Sequence, residues 1–329
     1  MCSARIVEML KRSVVAFRSA GVRSQCYNVK LLPASHYSFS GVASSAGQLP
    51  YTSSYNPIAS AEAVSRAISG VDGLPRLQLV DCGSAAAYLR AHVVGAALLP
   101  IDASTKDSSR PLRVIPPTLF EAVAAKLGLE TGVPAIVYDD GSTIAAARVW
   151  WTFSYYGHPA AILDGGWRAY IAAGGPIRSG VEEPAAPTSL EPVVASPREA
   201  LLATLDDVLA ATSSTKARDV QLVDARTLAE YCGDDKRGNR FGGHCPGATH
   251  LPHAEVLTPD RTFKSAGELE VLFKMRGLDG SRPTIVYCQG GMRAAIVMAA
   301  MLRAGFTDVR NYDGGSEEYN NVPGLPLIE

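Results

Sequence analysis

No apolar run in this 329-residue chain approaches the roughly 20 residues that a membrane-crossing helix needs. Charge is sparse, at 19% of residues with a formal net charge of −1, so nothing recommends a nucleic-acid or anionic-membrane partner. The six cysteines, Cys2, Cys26, Cys82, Cys232, Cys245 and Cys288, are scattered and form no C-x-x-C pair. That pattern speaks against a secreted disulfide framework and for a reducing compartment. The length suits two domains, each able to bury its own core without cross-links. Most free cysteines are small buried hydrophobes, which leaves one or two for chemistry. Zinc-finger and H-E-x-x-H spacings are also missing. The run "HCPGATHLPH", with His244, Cys245, His250 and His253, fits neither, so no metal is expected.

Acidic residues are nearly absent from the N-terminus. Before Glu62 only Glu8 is acidic, against Arg5, Lys11, Arg12, Arg18, Arg23 and Lys30. At 100° per residue, Ile6, Val7, Met9, Leu10, Val14 and Phe17 share one helical face and the basic residues the other. Residues 1–45 are therefore expected to be an organelle transit peptide with a flexible lead-in. The mitochondrion is the expected destination, with another organelle or the cytoplasm as the alternative. Without this segment the body is acidic.

What the chain does have is an internal repeat. "LQLVDCGSAAAYLRAHVVGAALLP" from Leu77 is matched by "VQLVDARTLAEY" from Val220 and "GGHCPGATHLP" from Gly242. "AIVYDDGS" at Ala135 matches "TIVYCQGG" at Thr284, and "LDGGW" at Leu163 matches "YDGGS" at Tyr312. Asp139 to Asp164 and Cys288 to Asp313 are both 25 positions apart. The Pro- and Ala-rich stretch 178–199 reads as a linker. The expected domains are then 60–177 and 200–329. Short continuous apolar runs (Gln221–Asp224, Thr284–Tyr287, Val309–Tyr312) read as strands buried on both faces. Helical stretches are expected at Thr118–Leu127, Ala145–Tyr156, Gly267–Met275 and Arg293–Ala304. The expected fold class is α/β: two tandem domains, each a mainly parallel sheet with helices on both faces. Ligands bind at the carboxyl ends of the strands in such sheets.

Cys288 follows "TIVY" directly, at such a strand end. Gly290 and Gly291 permit tight curvature, and a helix with Arg293 in its first turn follows. Inward-pointing amides, a helix N-terminus and a guanidinium form an anion cradle that favours thiolate over thiol. A nucleophile beside an anion site is the resulting expectation.

These motifs resemble the rhodanese family of sulfurtransferases over residues 60–329. The carriers are "VDAR…EY", "GGHCPGATHLP", "VYCQGGMRA" and "NYDGGSEEYNN" in the second half, and "LVDC", "AHVVGAALLP", "RVWW" and "LDGGWRAY" in the first. The tandem arrangement is similar to that of thiosulfate and 3-mercaptopyruvate sulfurtransferases. The resemblance implies two rhodanese-like domains, with catalysis confined to the second. Asp139 stands where the first half would need a cysteine, so that half is expected to be a structural partner that walls the cleft. It also implies double displacement: Cys288 takes sulfur as a persulfide held by Gln289, Gly290, Gly291, Met292 and Arg293, then yields it to cyanide or a thiol. No cofactor is implied. The partners are small sulfur donors and acceptors, and a monomer or weak dimer is expected.

In the mercaptopyruvate enzymes two arginines before the G-H-x-P-G-A motif hold the donor carboxylate. Arg237 matches the second, whereas Glu230 takes the place of the first. Arg237, Arg293 and Arg240 would then face a sulfonate-like anion, so thiosulfate is the expected donor and mercaptopyruvate the alternative. Arg240 also reads as a solvated loop charge, and Glu230 as a structural partner of Arg226. A phosphatase or arsenate reductase on the same fold would need a C-x5-R loop, whereas Cys288 and Arg293 are spaced C-x4-R. A redox module using Cys232 or Cys245 is the third class considered; Cys245 reads as packing.

Overall fold

The computed structural model describes residues 56–70, 76–101, 106–107, 110–182, 191–213 and 219–329. The expected transit segment lies outside the described residues, as do Cys2 and Cys26.

In the first half, β1 (Ile58–Ala59), β2 (Gln78–Asp81), β3 (Ala96–Leu98), β4 (Ala135–Tyr138) and β5 (Ala160–Leu163) form one sheet in the order β1-β5-β4-β2-β3. In the second half, β6 (Leu202–Ala203), β7 (Gln221–Asp224), β8 (Thr249–His250), β9 (Thr284–Tyr287) and β10 (Val309–Tyr312) repeat that order as β6-β10-β9-β7-β8. Every pairing within these two sheets is parallel. The antiparallel pairs are confined to short ribbons outside them, such as His92–Val93 against Ile177–Arg178. The duplication extends to register: Gln78 lies opposite Ala135, and Gln221 opposite Thr284. Asp139 and Cys288 therefore leave their sheets at equivalent places, beside the point where strand order reverses.

The helices of the first half are α1 (Ala61–Ile68), α2 (Ala85–Arg90), α3 (Pro117–Lys126), α4 (Ile144–Tyr155) and α5 (Gly166–Ala172). Those of the second are α6 (Leu205–Thr212), α7 (Leu228–Tyr231), α8 (Ala266–Met275), α9 (Met292–Arg303) and α10 (Gly315–Tyr319). The four helices read from the sequence are present, each starting one residue earlier than expected. In α3 the added residue is Pro117, whose missing N–H costs nothing at the first helical position.

Helices α4 and α9 pack on each other across the junction of the halves. Both are apolar almost all round, the pattern of a helix enclosed on every side; Ala146 to Tyr155 and Ala294 to Met301 are buried without a break. One continuous core consequently runs from Ile58, Val80 and Trp150 in the first half to Val223, Met298 and Val309 in the second. Separate clusters, around Tyr170 and Tyr319, fill the outer faces of the two sheets. The described part of the linker lies on the first half, with Ser196 N–H donating to Tyr156 O at 3.1 Å and Arg198 N–H to Tyr155 O at 2.7 Å.

Candidate active site

The loop after β4 shows what this turn does with a negative charge. Asp139 Oδ1 accepts from the amides of Gly141 (2.9 Å) and Thr143 (3.0 Å). Its Oδ2 accepts from Ala145 N–H (3.1 Å), Ala146 N–H (3.2 Å) and the Ser142 hydroxyl (3.1 Å). The orphan donors of the α4 N-terminus and its approach loop thus converge on one carboxylate. In the second half the corresponding residue is Cys288, 1% exposed. Its loop is a residue shorter, because α9 begins four residues after Cys288 and α4 five after Asp139. The equal 25-residue spacings conceal that shift. Gly291 caps α9 without a side-chain hydrogen bond, so the first-turn amides are left to whatever occupies the loop.

The loop is clasped from behind. Ser316 and Glu317, at the start of α10, donate their amides to Cys288 O (2.8 Å) and Gln289 O (2.9 Å). Asn311 Nδ2 donates to Gly291 O at 3.0 Å. Gly291 has φ +78°, the left-handed region that disfavours a side chain, and a Cβ there would overlap Asp313 Oδ1.

Gln289 is expected to act through its loop amide, and its side chain is engaged within the protein. It exchanges hydrogen bonds with the Asn239 amide, at 3.0 and 3.1 Å, and its Oε1 also accepts from Ser316 Oγ at 2.8 Å. Asn239 had not been singled out; the pair spans 50 residues and has no local signal. It ties the 234–242 loop, which carries Arg237 and Arg240, to the cysteine loop.

Arg293 is placed differently from expectation. Its guanidinium forms a fork-to-fork pair with Glu230, at 2.6 and 2.7 Å, while lying close enough to Cys288 to interact with it. Burial opposes ionisation of Glu230, but Arg293 and the Thr227 hydroxyl outweigh it and bring Glu230 down to about 2. Burial likewise opposes the charge on Arg293, and Glu230 and Cys288 raise its pKa regardless. Glu230 also closes a capping box with Thr227 at the start of α7. The suggested Glu230–Arg226 pair does not form, since Arg226 is bound to Asp224 through Nε and Nη2, its nearest contact being 2.6 Å. Arg237 is 57% exposed, with its Nε 3.9 Å from Glu230. Arg240 is exposed and lies over the Phe241 ring at 5.1 Å. Arg293 is brought to the thiol, and it arrives with an acid attached. Replacing Glu230 by arginine would remove that acid and set a second cation beside Arg293.

This pair has a pH signature. Glu230 titrates lower in the folded than in the unfolded chain, so its stabilisation is fully present above the ordinary glutamate range and is lost as pH falls towards 2. Glu230→Gln should lower the thermal midpoint at neutral pH, by the equivalent of about 3–5 kcal/mol for a broken buried pair. The gap from the parent protein should close between about pH 4.3, the free glutamate value, and about pH 2. Parallel melts across that range check it; a gap that does not vary with pH would show that the ion pair contributes nothing.

The remaining candidates sort by surroundings. Cys245 is fully buried in the outer core, and burial pushes its thiol up to about 12, which suits packing. Cys82 is buried and also raised by burial. Cys232 is exposed. His244 Nδ1 meets Tyr231 O at 2.9 Å, and His250 Nε2 meets Arg226 O at 3.1 Å, so both rings are engaged with backbone. Among the described residues no group of three or more His, Cys, Asp or Glu is arranged to hold a metal. No helix among them is long and apolar enough to cross a membrane.

A rhodanese-like domain model matches the chain twice, over residues 61–173 and 205–322. The chain is 32% identical over 242 residues to a thiosulfate sulfurtransferase of Bos taurus, covering 70% of this chain and 78% of that protein. It is 33% identical over 237 residues to a 3-mercaptopyruvate sulfurtransferase of Mus musculus, covering 69% and 76%. Among solved structures, the 3-mercaptopyruvate sulfotransferase SseA of Escherichia coli superposes with a TM-score of 0.68 at 26% identity, over 79% of this chain and 99% of that one. Two domain matches over most of the described chain, relatives above 30% identity that align across both halves, and the duplicated parallel sheets agree: the chain belongs to the rhodanese family, among its tandem-domain sulfurtransferases.

Proposed function

We propose that the protein moves sulfane sulfur from thiosulfate to cyanide or thiol acceptors through a persulfide on Cys288. The observation that carries this is Asp139. Its carboxylate oxygens stand two bonds from Cβ, as the outer sulfur of a cysteine persulfide would, and both ends are anionic. Five donors converge on that anion in the first half. The second half offers a similar turn and puts a cysteine at its foot. In the first step the Cys288 thiolate attacks the outer sulfur of thiosulfate; a new S–S bond forms, and sulfite leaves with the electron pair of the old one. The loop amides from Gln289 to Arg293 stabilise the persulfide anion. In the second step cyanide or a thiolate attacks the outer sulfur, leaves as thiocyanate or an acceptor persulfide, and restores the Cys288 thiolate.

The choice of thiosulfate rests on Glu230. A planar carboxylate donor is best met by two forked arginines; here the place of one is taken by an acid that already occupies Arg293. The relatives include enzymes of both donor types at nearly equal identity, so mercaptopyruvate remains the second reading. Steady-state kinetics with each donor, and cyanide as acceptor, should give the higher kcat/KM for thiosulfate. A higher value for mercaptopyruvate would transfer the assignment to that donor.

We extend the proposal to residues 1–45 as a mitochondrial transit segment, on its basic amphipathic pattern. A fluorescent fusion of residues 1–60 should enter mitochondria and should fail to when Arg5, Lys11 and Arg12 are made acidic. A diffuse cytosolic signal from the unaltered fusion would count against it.

A further inference from the structure

We propose that Arg148, in the half without the thiol, is a positioning residue for the Cys288 loop in the other half; this rests on the assignment of Cys288 above. Arg148 is a lone charge in the apolar helix α4 and is fully buried. It crosses the junction to Asp313, with Nη1 on Oδ1 and Nη2 on Oδ2 at 3.2 Å, and its guanidinium lies 4.8 Å from the Trp151 ring. A buried arginine of this kind needs a fixed acid, and a two-point fork sets that acid's orientation. Asp313 is 1% exposed and occupies the junction between β10 and the α10 turn.

Both partners bear on Gly291. A Cβ at Gly291 would overlap Asp313 Oδ1 and come within 3.1 Å of Arg148 Nη1. The strand and turn flanking Asp313 supply the other restraints on the loop: Asn311 on Gly291 O, and Ser316 and Glu317 on the Cys288 and Gln289 carbonyls. The floor of the sulfur-carrying turn is therefore held by a side chain from the first half. That gives the half lacking a nucleophile a direct part in the placement of the other half's nucleophile.

The molecule carries its own control. Asp164, which matches Asp313 in the repeat, receives Arg303 of the second half at 3.2 Å and the Phe263 amide at 2.7 Å. That bridge crosses the same junction in the opposite sense, beside the Asp139 loop, where there is no thiol to place.

Full-length protein, Arg148→Lys and Arg303→Lys should be compared well below their thermal midpoints. Two rates are read: alkylation of Cys288 by iodoacetamide, followed on its own peptide, and single-turnover sulfur loading from thiosulfate. Both variants should melt lower than the parent. Only Arg148→Lys should slow alkylation and loading, by about tenfold or more, since misplacement on the ångström scale costs that much; Arg303→Lys should stay within about twofold. Arg148→Lys rates within about threefold of the parent, or an equal fall in Arg303→Lys, would overturn the proposal. If Arg148→Lys does not fold, Asp313→Asn is held to the same criteria. A parent protein that alkylates at Cys288 but takes up no sulfur would refute the sulfur-transfer reading, while the alkylation rates alone would still decide the role of Arg148.

Discussion

Cys288→Ser should abolish sulfur transfer, by at least about 10³-fold in kcat, and leave the thermal midpoint nearly unchanged. The hydroxyl fits the space of the thiol but does not ionise in the working range, so the nucleophile is lost while the loop survives. The backbone of this residue is held independently of the thiol, through the carbonyl that accepts from Ser316 N–H. Intact-mass spectrometry after thiosulfate should show one added sulfur on the parent protein, removed by cyanide, and none on the variant. Cys245→Ala and Cys82→Ala should still load sulfur, because burial holds both thiols in their neutral form. A sulfur adduct on Cys288→Ser would end the assignment.

Gly291→Ala should be severely damaging although it removes no polar group. Two costs combine. A left-handed backbone strains any side chain by about 1–2 kcal/mol, and the new Cβ would displace the Asp313 carboxylate from its buried pair with Arg148. Disturbing such a pair costs about 3–5 kcal/mol. Turnover should fall about 100-fold in whatever protein still folds. Gly305 separates the two costs. It ends α9 at φ +91° with nothing within 4 Å of a built Cβ, so Gly305→Ala should lose about 1 kcal/mol and keep its activity. Thermal melts and steady-state turnover on both variants check this; equal activity in the two would mean that the floor beneath Gly291 does not matter.

The repeat made much of the architecture readable. Short buried strands such as Thr284–Tyr287 are continuous apolar runs, and α9 announces itself by period and by Gly305 at its end, because both signals are local. The same holds for Cys288, whose strand-end position and following glycines lie within a few residues of it. The electrostatics were less accessible. Glu230 looked like a repulsive arm of a donor clamp because its partner, Arg293, is 63 residues away in sequence. The Gln289–Asn239 side-chain pair is not legible, because its members lie 50 residues apart and give no pattern of their own. Arg148 left one trace that can be recognised: a single charge in "IAAARVWWTF" needs a buried partner, though nothing nearby says that Asp313 provides it. The Arg148–Asp313 pair follows from how the two halves meet across the shared core of α4 and α9, and the Glu230–Arg293 pair from how the second half folds on itself; no short motif encodes either.

The depth of the thiol also limits who can collect the sulfur. Cys288 is 1% exposed. On the proposed chemistry the transferable atom sits one S–S bond, about 2.05 Å, beyond it, still at the foot of the loop. Small acceptors such as cyanide, as proposed above, need the least exposed surface to reach that atom. With so little of Cys288 exposed, a thiol on a flat or convex face of a folded protein would find almost no surface of it to meet. A macromolecular acceptor would have to offer its cysteine on a slender tip or an unstructured tail, and its rate of sulfur uptake would be governed by how often that tip is extended.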